Sequence, residues 1–441
     1  MFSPRRQLWL WLSEALGLLL LLLSVHLAQA LTVATGATTA FNAGNALDIA
    51  AYCNGADALD DTACMTTWIG AAEAQGKHLY ASAGTYYYTD GIAVFPGFHL
   101  QCASPAATIF KALSLTANDL FVLLPNFVDE GASPWTDMLV ENCGFDLTCV
   151  TSNFTSVIAF GGGVQRMANV TVRGNHVWDS TLRGTMLTSS TSQRQYIVVT
   201  VADNVLVEDN VLSEGGRIKV GRPGNTFTIR RNRIYSVNDN GITVVDTAGG
   251  TTTNILIENN EIVNPIRSGI FFGADGQTEG DSSMVLSDVV VRYNKVRGTY
   301  ITNCITGVLP NNATRISITD NVCHKTGAYV ASTFPGGIGL NRNNTGVTPV
   351  TNLTIARNSV TSDVPNALNA LAGIFLAGPS TAACIVNNHV SNTATAIYIR
   401  DTALNTIAMC NDIGTGIVRL NTGGTVNAAG DPTTCFVPTF N

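Results

Sequence analysis

The sequence predicts an all-β chain wound as a right-handed parallel β-helix. It has about ten or more coils with three strands in each, and a short capping helix near its N-terminus. Three observations carry this. A short strand motif ending in Asn returns ten times, a Gly-Ile strand returns between its copies, and only 12% of the residues are charged while Gly alone numbers 41. An average chain has about 25% charged residues. A length of 441 residues exceeds one ordinary globular core, but a stack escapes that limit because each coil buries its apolar face against its neighbours.

The chain opens with Arg5 and Arg6, an apolar run from Leu16 to Leu23, and Ala28-Gln29-Ala30. A basic flank, a short apolar core and an A-x-A site read as a secretory signal over 1–30. The apolar run is short of the roughly 20 residues that a membrane span needs, so no membrane attachment is expected after cleavage. All ten cysteines lie beyond it. An even count behind an export signal favours disulfides, with Cys53–Cys64 and Cys143–Cys149 as local pairings. Five N-x-[ST] sequons, at Asn153, Asn169, Asn312, Asn343 and Asn352, fit a secreted protein. Without Arg5, Arg6 and Glu14, the 24 basic and 31 acidic residues fall to 22 and 30. That acidic surface repels nucleic acid and anionic membranes, so neither is an expected partner.

Residues 31–99 read as a cap and entering strands. Asp60 to Gly76 has an Asp to start a helix and a Gly to stop it, and leads into Ala83-Gly-Thr-Tyr86. From 100 to 420 the repeat takes over. Its copies include Val170-Thr-Val172-Arg-Gly-Asn175, Val205-Leu-Val207-Glu-Asp-Asn210, Phe227-Thr-Ile229-Arg-Arg-Asn232 and Ile255-Leu-Ile257-Glu-Asn-Asn260. Others end at Asn294, Asn321 and Asn358, with weaker ones at Asn142, Asn388 and Asn411. The alternation marks a strand buried on one face. Asn suits a left-handed turn, and one Asn per coil can stack into a ladder. A second short strand (Val211, Ile234, Ile262) precedes a third announced by Gly-Ile at Gly241, Gly269, Gly337, Gly373 and Gly416. Strands pairing one coil on rise about 4.8 Å each, and the crossover rule makes the winding right-handed. Residues 421–441, with Cys435, read as a tail covering the last coil.

These repeats, together with the helix followed by Ala-Gly-Thr-Tyr, resemble the pectin-lyase-like superfamily of right-handed β-helix proteins over roughly Leu100 to Leu420. The resemblance implies a polysaccharide lying along the sheet of Gly-Ile strands. This fold hosts lyases, hydrolases, epimerases and non-catalytic adhesins, so function rests on the site. Alternation sends Lys219, Thr243, Phe271, Gly339, Phe375 and Tyr398 outward on that sheet, where Phe271, Phe375 and Tyr398 are placed to stack on sugars or on one another. Six of the 22 basic residues fall between 217 and 233.

A lyase on a uronate needs a cation to neutralise the carboxylate, a base for the C5 proton and an acid for the leaving oxygen. Lys219 is the candidate base or neutraliser, and Arg217, Arg222 and Arg267 are candidate carboxylate binders. Arg222 and Asp246 fall at equivalent positions of successive coils and equally suit a surface ion pair. A hydrolase needs two carboxyls, for which Asp239, Asp246 and Asp275 are the candidates. Arg217-Ile-Lys219 resembles a substrate-binding triplet of polygalacturonases, but that family's Asn-Thr-Asp and Gly-His-Gly motifs are absent, as is the Tyr-Gly-Phe-Asp-Pro-His run of mannuronan epimerases. Asp275, Glu279 and Asp281 offer hard oxygens of the kind calcium takes. No other cofactor is indicated. The expected function is a secreted, monomeric enzyme on an extracellular polysaccharide, a lyase on an acidic glycan or a related hydrolase or epimerase. The alternative is a glycan-binding or adhesin-like surface protein without catalysis.

Overall fold

The computed structural model describes residues 43–113, 119–122, 135–148, 150, 156–161, 166–179, 194–221, 223–246, 250–274, 285–299, 302–310, 312–325, 336–341, 350–363, 372–378, 380–381, 383–393, 395–400, 403–404, 406–414 and 417–420. The chain divides into Met1–Ala46 and Leu47–Asn441. In the first unit the structure describes little beyond the 3-10 turn Ala43–Asn45. The signal expected over 1–30 and the tail over 421–441 lie outside the described residues, in which no helix is long and apolar enough to cross a membrane.

The second unit is a right-handed parallel β-helix. Its strands fall into three long parallel sheets of 13, 11 and 12 strands, here A, B and C, with a further parallel pair, Ser380–Thr381 and Ala403–Leu404. One coil shows the plan: Gly224–Arg230 in A, Arg233–Val237 in B and Ile242–Asp246 in C. Each strand pairs with its equivalent one coil later. In A the register runs Val205, Phe227, Ile255, Val289, Ile316, Leu353. In C it runs Ile218, Ile242, Ile270, Ile305, Ile338, Ile374, Ile397. These side chains are buried, so each sheet contributes an aliphatic column to one continuous core.

The Asn ladder runs unbroken from Asn175 to Asn411. In each rung the Nδ2 donates to the next Asn Oδ1, at 3.0 Å for Asn232 to Asn260 and 2.9 Å for Asn260 to Asn294. It also donates to a strand carbonyl of the preceding coil, as Asn260 does to Ile229 O at 2.9 Å. The Oδ1 accepts from the preceding rung's backbone N–H, so Asn232 N reaches Asn260 Oδ1 at 3.0 Å. Buried polar groups are satisfied this way at every level.

Two expectations need correction here. The left-handed residue of the turn is the one before the ladder Asn: Asp209 at φ 57°, Arg231 at 55°, Asn259 at 56° and Tyr293 at 56°. The amide is thereby turned inward, where it bonds. By the same offset, Asn142 (φ 59°) is a turn residue, and Cys143 holds the rung, its N–H donating to Asn175 Oδ1 at 3.0 Å. Cys143 bonds Cys102, on the coil below, rather than Cys149, which lies outside the described residues. Cys53–Cys64 forms as expected, and Cys304–Cys323 adds a further bridge. Cys410 is free and exposed.

The helix Thr62–Gln75 buries Met65, Trp68, Ile69 and Ala72, one stripe at 3.6-residue spacing. Gly76 stops it at φ 58°. At its start Asp60 accepts from Thr62 N at 3.0 Å, while Asp61, in the N-cap position, accepts from Tyr87 N at 2.9 Å instead.

Candidate functional site

Every second residue of a sheet C strand faces away from the core. The register places Val198, Lys219, Thr243, Phe271, Thr306, Gly339, Phe375 and Tyr398 in one outward row. Lys219, Thr243 and Phe271 therefore stand about 4.8 Å apart along the axis. Gly339 is required to lack a side chain, since a Cβ there would come within 2.2 Å of Asn303 Nδ2.

Beside the row, at the corner where sheet B turns into C, lies a polar cluster. Arg217 and Asp239 form a buried ion pair across adjacent coils, with side chains 8% and 2% exposed. Arg267, one coil further, brings Nε to 3.5 Å from Asp239 Oδ1 and keeps 44% of its side chain exposed. Burial pushes the Arg217 guanidinium below its usual range, Arg267 adds to this, and Asp239 opposes it. Arg194 and Asp179 form a similar buried pair. On the far side, Ser268 Oγ lies 2.7 Å from Thr302 Oγ1 and 2.6 Å from Thr306 Oγ1. Asn303 Nδ2 donates to Thr306 Oγ1 at 3.2 Å.

What distinguishes this region is unmet hydrogen-bonding capacity. Arg217 Nε, both amide atoms of Asn238, Thr243 Oγ1 and Asn303 Oδ1 are buried without a hydrogen-bond partner among the described residues. Such atoms cost about 1–3 kcal/mol each when left dry. Beside them, the half-buried Lys219 and the 44% exposed Arg267 are cations that reach the surface.

The sequence-derived candidates divide accordingly. Arg217, Lys219, Asp239, Arg267 and Phe271 come together on three consecutive coils. Asp246 ends its strand with its backbone beside Ala274, but its side chain, with Arg222 and Asp275, lies outside the described residues, as does the candidate calcium loop 275–281. Asp239 is corrected from a free carboxylate to an ion-paired one. Phe375 is 3% exposed, with Tyr398 at 5.5 Å and the Arg400 guanidinium 5.7 Å from its ring centre. It is a packing residue rather than a sugar platform, while Phe271 and Tyr398 are half-buried. Sequence reasoning missed Ser268, Asn303 and Thr306; the bare Gly339 in an outward row was the available signal. The one cluster of metal-ligating side chains among the described residues, Cys53, Asp61 and Cys64, includes a disulfide and has no thiolate to offer.

No protein-family model matches the chain, and no curated protein matches it. Solved structures do. The A-module of a mannuronan C-5 epimerase from Azotobacter vinelandii is 15% identical, with a TM-score of 0.54, covering 87% of this chain and 100% of that one. A DFA-IIIase from Arthrobacter chlorophenolicus A6, without its lid and in complex with GF2, is 13% identical with a TM-score of 0.57, covering 87% and 100%. The Dettilon tailspike protein is 14% identical with a TM-score of 0.53, covering 85% and 68%. At these identities the likeness establishes the β-helix.

Proposed function

We propose that the outer face of sheet C, around Lys219, Thr243 and Arg267, binds and processes an acidic polysaccharide outside the cell. The observation that carries this is that Lys219, Thr243, Phe271 and the partly exposed Arg267 stand side by side on three consecutive coils of one face. Structural neighbours named as a mannuronan C-5 epimerase and a DFA-IIIase support a carbohydrate substrate. Three disulfides among the described residues fit an oxidising compartment.

In the proposed reaction Arg267 neutralises the uronate carboxylate, which makes the C5 proton acidic. The Lys219 amine takes that proton. The C4–O4 bond then breaks, its electron pair leaves with O4, a C4–C5 double bond forms, and water protonates O4. Return of a proton to the other face of C5, before O4 leaves, would give epimerisation instead. Hydrolysis is less well supported, because Asp239, the candidate carboxylate among the described residues, is committed to Arg217.

Purified protein incubated with pectate, alginate and dextran tests this. The expected result is ultraviolet absorbance from unsaturated ends, or deuterium entering C5 in heavy water, on an acidic polymer only. A positioned base contributes about 10²–10⁴-fold, so Lys219→Ala should lose at least a hundredfold in kcat. Reducing ends without unsaturation or exchange would overturn the scheme. Binding of an acidic polymer without any change in it favours a non-catalytic surface protein, the reading that the committed Asp239 carboxylate supports.

A further inference from the structure

Sheet C is one side of a three-sided coil, and the corner between A and B lies opposite it. There the surface holds a groove of about 470 Å³. The buried ladder residues Asn210, Asn232 and Asn260 form its floor. One wall is the turn row Asp209, Arg231, Asn259 and Tyr293; the other is Val211, Arg233, Glu261 and Lys295, which open the sheet B strands.

Tyr293 is out of place by local rules. Its backbone is left-handed, at φ 56°, where Asn or Asp is tolerated and a bulky side chain is strained by about 1–2 kcal/mol. Its ring is 51% exposed, so burial recovers little of that. The Arg292 guanidinium sits 5.7 Å from the ring centre, fixing an aromatic surface in the open. Across the groove, Arg233 and Lys295 flank Glu261 in register. They stand two strand spacings apart, about 9.6 Å, the scale of a disaccharide. Arg231 is neutralised by Asp209 and Glu208. The remaining charge of the wall is therefore two cations to one carboxylate, spaced along the helix axis.

We propose that this groove is a second, non-catalytic anchoring site for an anionic polysaccharide, running parallel to the helix axis. Tyr293 stacks on a sugar ring, and Arg233 and Lys295 take anionic groups on alternate sugars. The proposal shares with the sheet C reading only the acidic nature of the polymer. Electrophoresis of the full chain through gels containing polygalacturonate, alginate or dextran tests it, using Lys219→Ala so that nothing is degraded. Retardation by an acidic polymer, and not by dextran, is expected. Tyr293→Asn supplies the residue the turn prefers, so it should fold at least as stably, and it should weaken that retardation at least fivefold. Lys295→Gln should do likewise. Equal retardation of Lys219→Ala with and without Tyr293→Asn overturns the anchoring site, as does absence of retardation by either acidic polymer. Binding that depends on Tyr293, from a wild-type chain that alters no polymer, would leave the anchor standing and remove the catalytic reading.

Discussion

Lys325 ends the sheet B strand Val322–Lys325, at a position that faces the core. It is 3% exposed, and its Nζ has no hydrogen-bond partner among the described residues. Thr299 and Ser362 are its neighbours on the adjacent strands. With no anion at hand, burial pushes the ammonium down to about 8 from its ordinary 10.5. At about 1.36 kcal/mol per pKa unit, this penalises the protonated fold by roughly 3 kcal/mol. Below pH 8 the amine is protonated both folded and unfolded, and the whole penalty is present. Between pH 8 and 10.5 the unfolded chain holds more protons than the folded one, so stability rises with pH through that window. Lys325→Met removes the charge while keeping the volume. The variant should be more stable than the parent by roughly 3 kcal/mol at pH 7, and the two should converge as pH approaches 10.5. Urea unfolding of both chains at pH 7, 8.5 and 10 measures the difference, and other alkaline titrations cancel in it. Parallel profiles, or a variant less stable at pH 7, would refute the assignment of a dry, unpaired amine.

Two further substitutions test the parts that hold the coils. Asn260→Ala removes the acceptor for both Asn232 N and Asn232 Nδ2, and the donor for Ile229 O and Asn294 Oδ1. At about 1–3 kcal/mol per stranded buried group, a loss near 4 kcal/mol is expected in urea unfolding, against less than about 1 kcal/mol for Asn259→Gly in the adjacent turn. Breaking the Arg217–Asp239 pair from one side, with Arg217→Met, should cost about 3 kcal/mol because a buried carboxylate is left behind. Arg217→Met with Asp239→Leu should recover most of that, and a double variant no more stable than the single one would contradict the pairing.

The fold was legible because the core-facing columns repeat along the sequence, and the ladder Asn repeats with them. The turn residue was not, since Asp209, Arg231, Asn259 and Tyr293 share a backbone conformation without sharing a chemistry. The same limit applies to the disulfides. Cys143 is near Cys149 along the chain, yet its bonded partner, Cys102, is 41 residues away and one coil below. At the site, alternation was enough to place Lys219 and Phe271 outward. It could not show that Arg217 and Asp239, read as separate reagents, are bonded to each other. That pairing depends on the length of one coil, and coil lengths vary with the connecting segments.

Charge pairing also sets the outer face of A apart from the face of C, to which we assign the substrate. On A, acids and bases meet in register from coil to coil: Glu208 with Arg230, Glu258 with Arg292, Asp288 with Arg315 and Asp320 with Arg357. Each group there has spent its directional capacity on a neighbour one strand away, and a ligand would have to compete with bonds already formed. Around Lys219 and Thr243 the strand spacing is the same, but the row changes chemistry at each coil: an ammonium, a hydroxyl, then an aromatic ring. At the adjoining corner the amide of Asn238 and Oδ1 of Asn303 lack hydrogen-bond partners among the described residues. The sugar chain we assign to that face would meet Lys219 and Arg267, the cations that reach its surface.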